Sequence, residues 1–87
     1  MDDIRQKMDD IRQKRLFDLF STPGWRMLMQ EMEEAREVLV GTTHTLNTEA
    51  ELHRRKGEIH QLDILIAYEP VFRVQVEEEE RTRAEAL

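Results

Sequence analysis

His53 and His60 are the first residues in this chain whose type and spacing suggest chemistry. Seven residues along one helix set them two turns, about 10 Å, apart. That is too far to ligate one metal ion within a chain, and only a symmetric interface between copies would bring such a pair together. His60 beside Lys56 and Asp63 reads more simply as surface hydrogen bonding. The run Glu77-Glu78-Glu79-Glu80 offers carboxylates that could chelate a cation or imitate nucleic-acid charge, but on a helix it is first of all a solvated face. Arg54-Arg55-Lys56 could meet phosphate, yet Glu49, Glu51 and Glu58 flank it and the chain carries a formal net charge of −6. Nucleic-acid binding draws its affinity from clustered cations, so nucleic acid is not the expected partner. The chain has no cysteine, which removes disulfides and thiolate ligands. It shows no Gly-rich phosphate loop and no His-Glu-x-x-His motif. Neither catalysis, a metal nor a cofactor is therefore expected.

What remains is apolar surface on helices. Met27, Met29 and Met32 lie close to Trp25, with Leu28 interleaved. Methionine side chains adapt to irregular partners, and this cluster spans more than one helix face. It is either an irregular core or a partner-binding surface, and so short a chain favours the second. The sequence has 87 residues, enough for one small domain that buries only roughly 60–65% of its unfolded surface. Charged residues make up 37% and hydrophobic ones 39%, with three glycines and two prolines, a composition typical of helical or coiled-coil material. No apolar run approaches the ~20 residues of a membrane span, and the first residues are too polar for a signal peptide. A reducing cytoplasm is the expected place of synthesis.

The elements that position these groups can be placed from pattern. Met1-Asp2-Asp3-Ile4-Arg5-Gln6-Lys7 is repeated in residues 8–14 with the same seven residue types. Met1, Ile4, Met8 and Ile11 fall at a and d positions and form a narrow apolar seam, and the stripe widens through Leu16, Phe17, Leu19 and Phe20. Two heptads are too short for a stable helix alone. They read as an arm that becomes helical by docking, or as a duplication ahead of a chain that could begin at Met8. Thr22 is placed as the N-cap and Pro23 at the first position of a helix reaching about Val40. Trp25, Leu28, Met29, Met32, Ala35 and Leu39 supply its inner face. Gly41 is a natural stop, and Thr48 with Glu51 forms a capping box for the next helix. That helix runs to Glu69 with Leu52, Ile59, Leu62 and Ile66 inward, broadened by Ile64 and Leu65. Gly57 in its middle calls for a close approach of another helix, beneath Trp25 for instance, or is an ordinary surface glycine. Pro70 ends or kinks it. Val71, Phe72, Val74 and Val76 alternate like a strand, but a lone strand has nothing to pair with, so a terminal helix over Val71 to Arg83 is expected.

Phe20-Ser21-Thr22-Pro23-Gly24-Trp25, followed by an acidic helix, a loop and Leu52-His53-Arg54-Arg55-Lys56-Gly57, resembles a group of small tailed-bacteriophage proteins. There an F-x-(S/T)-P-G-W start and an L-x-x-R-K-G-Q middle recur. The likeness covers about Leu16 to Tyr68. It departs from the pattern at Glu58, where glutamine is expected, and in the doubled heptad. The resemblance implies a phage setting and brings no catalytic residues.

The expected fold is all-α: a helical hairpin over residues 21–69, an N-terminal heptad-repeat arm over 1–20, and a Pro-kinked acidic helix over 70–87. Trp25, Leu28, Met29, Met32, Leu52, Ile59, Leu62 and Ile66 would form the hairpin core. Met1, Ile4, Met8, Ile11, Phe17, Phe20, Val71 and Phe72 would dock partners. The expected function is that of a minor structural or assembly protein, made in the bacterial host cytoplasm and located in the virion. It would pack in several copies on capsid, portal or neck proteins or on itself. The alternatives are an early phage protein that inhibits or redirects a host enzyme, and a free homodimeric bundle without a phage role.

Overall fold

A computed structural model describes residues 2–86, apart from the side chain of Asp2; Met1, expected at the head of the arm's seam, lies outside them. The protein is all-α, a helical hairpin-like fold with no strand among the described residues. Among the described residues three α-helices follow one another, α1 (Asp2–Phe20), α2 (Pro23–Gly41) and α3 (Glu49–Ala86), with a 3₁₀ turn at Thr43–Thr45. The chain divides into two compact units, residues 1–30 and 31–87.

In the first unit, α1 stops because Ser21 and Thr22 turn their backbones and hydroxyls onto the last carbonyls. Ser21 Oγ donates to the Phe17 carbonyl at 3.0 Å, and Thr22 Oγ1 to that of Leu19 at 2.7 Å. The same Thr22 hydroxyl oxygen accepts from the Trp25 N–H at 3.1 Å, the expected N-cap bond of α2. One threonine thus closes one helix and opens the next. Phe20 sits in this corner, only 3% exposed. Its ring is 6.3 Å from that of Phe17, edge to face, and 5.1 Å from that of Trp25, both favourable aromatic geometries.

In the second unit, α2 ends at the glycine that its sequence marks as a stop. Gly41 is the last helical residue, and no glycine has a positive φ. The helix thus stops at Gly41 as expected, but without a left-handed residue, and hydroxyls cap its last carbonyls. Thr42 Oγ1 donates to the Val38 carbonyl and Thr43 Oγ1 to that of Leu39, each at 2.7 Å. The capping box of α3 is also modified. The Glu51 N–H donates to Thr48 Oγ1 at 3.1 Å as expected, but the Glu51 carboxylate accepts from the Asn47 N–H, one residue further back than the motif requires.

The helix opened by Thr48 does not stop at Glu69. It continues through Pro70 to Ala86. A proline in a helix interior forfeits one backbone hydrogen bond and crowds the preceding turn. One of the three helices is bent by about 35°, and α3 carries the interior proline that accounts for such a bend. Phe72 and Val76, which could have alternated in a strand, both sit on this helix and are buried.

Candidate protein-docking surfaces

The half-buried positions of α2 are Trp25, Met29, Met32, Arg36 and Leu39. Those of α3 include Leu52, Arg55, Ile59, Leu62, Ile66 and Glu69. Steps of four and three alternate along both, the 3.5-residue period of helices that wind around a neighbour. Seven of the eight residues expected in the hairpin core fall on these stripes. Leu28 does not: it is 40% exposed, because the strict heptad passes from Trp25 to Met29. Ala35 yields its place to Arg36 for the same reason.

Two arginines therefore occupy seam positions that an apolar search overlooks. Arginine can lay its methylenes along apolar surface while its head reaches a polar partner. The Arg36 Nε donates to Asp63 Oδ1 at 2.5 Å, across the hairpin. Hydrogen bonding to this carboxylate, and then its charge, raise the Arg36 pKa above its usual value. Arg55 Nη1 donates to the Leu39 carbonyl at 2.7 Å and to Thr42 Oγ1 at 2.8 Å. It brings a positive charge to the C-terminal end of α2, where the helix dipole is negative. The i, i+4 relation of neither arginine to a neighbouring acid would have found these bonds, since both partners lie across the turn.

The docking residues expected from sequence separate into two groups. Ile4, Met8 and Ile11 form an exposed seam on α1, with Ile4 67% and Met8 65% exposed, and Val71 on α3 is exposed as well. Phe17 is half-buried. Phe20 and Phe72, by contrast, are buried within the chain, Phe72 to 7%. Their large rings are taken up by intrachain packing, so they are not free to dock a neighbour in this conformation. Phe72 stacks on the ring of Tyr68 at 6.4 Å.

Helix α3 also exposes apolar side chains that the hairpin leaves uncovered. Ile64 and Leu65, expected to broaden the hairpin core, are exposed, as are Tyr68, Val71 and Val74. Ile64, Val71 and Val74 lie on the side of α3 turned away from Leu62 and Ile66, and Ala67 between them is half-buried. The signal was present in the sequence as two apolar periods on one helix. Gly57 answers no close approach: an added Cβ there would meet nothing within 4 Å.

The groups that suggested chemistry stay apart. His53, His60 and Glu77–Glu80 are exposed, and among the described residues no group of three histidines or carboxylates converges as a metal site would require. Among the same residues no helix is long and apolar enough to cross a membrane. No protein-family model matches the chain, and no curated protein or solved structure matches it either.

Proposed function

We propose that this chain is a non-enzymatic structural or assembly protein of a tailed-bacteriophage virion. It is made in the host cytoplasm and packs in several copies against capsid, portal or neck proteins, with no cofactor. The observation that carries this reading is the seam of Ile4, Met8 and Ile11, exposed along the first fourteen residues, whose other described positions are charged or polar. An isolated helix of this length gains little from propensity, and apolar packing is what normally holds one. Covering these three side chains would stabilise a complex by roughly 3–5 kcal/mol before the cost of association. The likeness of Phe20–Trp25 and Leu52–Gly57 to small phage proteins supplies the setting.

The exposed acidic run Glu77–Glu80 favours a second reading, an early protein that covers a basic site on a host enzyme. Stoichiometry separates the two. Quantitative mass spectrometry of purified particles of the phage encoding this chain should find a fixed, repeated number of copies per particle. Absence from particles, with abundance in the infected cell, would favour the enzyme antagonist and overturn the structural role.

A further inference from the structure

The charges of α1 are sorted by their position around the seam. With Met8 at a and Ile4 and Ile11 at d, the flanking e positions hold Arg5 and Arg12, and the flanking g positions hold Lys7 and Lys14. All four are basic and all four are exposed. Arg15, Asp18 and Leu19 take the next a, d and e positions, so this face holds five cations and one acid. The acids of the two heptads stand off it, Asp2 and Asp9 at b and Asp3 and Asp10 at c. Asp10 accepts from Gln6 Nε2 at 2.9 Å, toward the far side of the helix. That far side is the covered one: Gln6 and Gln13 are half-buried and Phe20 is buried, all at f, half a turn from the seam.

We propose that the α1 seam docks an amphipathic helix of a different protein, apolar where it meets Ile4, Met8 and Ile11 and acidic where it meets Arg5, Lys7, Arg12 and Lys14. A strict a and d stripe is one side chain wide, the width of a seam between two helices, and the e and g rows set which helix is accepted. A second copy of α1 is rejected in both orientations. Parallel pairing sets Lys7 against Arg12 of the other copy, and antiparallel pairing sets lysine against lysine and arginine against arginine. A phosphate backbone would answer the cations but leave the three apolar side chains wet. An anionic membrane takes helices with a broader apolar face bearing large rings and leucines; here Phe17 is half-buried and Phe20 buried within the chain. This inference rests on the reading of the chain as a docking protein and names the chemistry of the partner helix.

The test uses the full-length chain and a pair of synthetic heptad peptides, both with isoleucine at a and leucine at d. One peptide has glutamate at every e and g position, and the other has lysine there. In fluorescence anisotropy at low salt, the glutamate peptide should bind at least ~10-fold more tightly than the lysine peptide, and added salt should shrink the difference. Bulk charge works against this outcome, since a chain of net charge −6 attracts lysine. Equal affinities, a preference for lysine or binding of neither peptide would overturn the proposal. So would tighter binding to phosphatidylglycerol vesicles or to a DNA duplex than to the glutamate peptide. A variant combining Asp3→Lys, Lys7→Asp, Asp10→Lys and Lys14→Asp moves the lysines from g to c at constant net charge. With helicity verified by circular dichroism, it should lose the preference for glutamate, because two attractive flanks then face two repulsive ones; a retained preference would refute the placement of the partner. Met8→Gln, at an exposed position, should weaken glutamate-peptide binding several-fold, and unchanged binding would show that the seam is not what docks. Each of these failures leaves the virion role intact, since that role fails only if particles lack the protein.

Discussion

Replacing Arg55 by methionine removes the guanidinium and keeps most of the stem, so the variant isolates what the head contributes. In the native chain that head is within 2.7 Å of the Leu39 carbonyl and 2.8 Å of Thr42 Oγ1. It thereby fastens the start of α3 to the end of α2. A hydrogen bond from a charged donor contributes about 1.5–3 kcal/mol when buried, and a cation at a helix C-terminus adds about 0.3–1 kcal/mol. Two features reduce the sum. The Leu39 carbonyl also accepts from Thr43 Oγ1 at 2.7 Å, so it keeps a partner, and the side chain is 18% exposed, so water replaces part of the loss. The net expectation is a destabilisation of about 1–2 kcal/mol. For a chain of this length that lowers the melting midpoint by roughly 5–10 °C. Thermal and urea unfolding followed by circular dichroism at one fixed protein concentration would measure it. A lysine at position 55 should recover only part of the loss, because it cannot present two N–H groups in a fixed fork. If Arg55→Met unfolds at the native midpoint, the turn is held by its threonines alone and the account of this arginine is wrong.

Thr22→Ala should destabilise the first unit by about 1 kcal/mol, through loss of the cap on Trp25 and of the bond to Leu19, read by amide exchange at residues 24–26. Phe20→Ala should cost about 3 kcal/mol in urea unfolding, because the ring is nearly fully buried between two aromatic neighbours; a neutral effect would mean that the corner is not packed in solution. Deletion of residues 1–14 should leave the unfolding midpoint of the second unit unchanged while sharply reducing incorporation into particles. Unchanged incorporation would show that the repeated heptad is dispensable and that the seam on α1 docks nothing.

The helices were legible because their boundaries are written in short-range chemistry. Thr22-Pro23 and Thr48 with Glu51 fix two helix starts through bonds spanning three residues, and local sequence determines such bonds. The end of α2 was legible in position, but not in the bonds that cap it. Arg55, distant in sequence, supplies a donor to the Leu39 carbonyl there, and Gly41 keeps a negative φ. Of the two outcomes that Pro70 allows, an end or a kink, the chain adopts the kink: a long helix absorbs one lost bond as a bend when residues beyond it, Phe72 and Val76, become buried. Among the docking residues, aliphatic character predicted exposure better than aromatic character did. Ile4, Met8, Ile11 and Val71 remained outside, whereas Phe20 and Phe72 were drawn in, since a small chain gains most from burying its largest rings. Arg36 on α2 and Arg55 on α3 escaped a search for apolar residues, although a strict alternation of four and three along each helix marks both positions.

Met8 provides the most direct measurement, because it stands in the α1 seam and its sulfur reports its own exposure. Peroxide converts accessible methionine to the sulfoxide, and Met8 is 65% exposed in the free chain while Met32 is half-buried. Peptide mass spectrometry after a brief peroxide pulse should show Met8 oxidised faster than Met32 in dilute purified protein, and Met8 strongly protected when intact particles are pulsed. Equal oxidation of Met8 in the free chain and in particles would contradict the claim that another protein covers this seam.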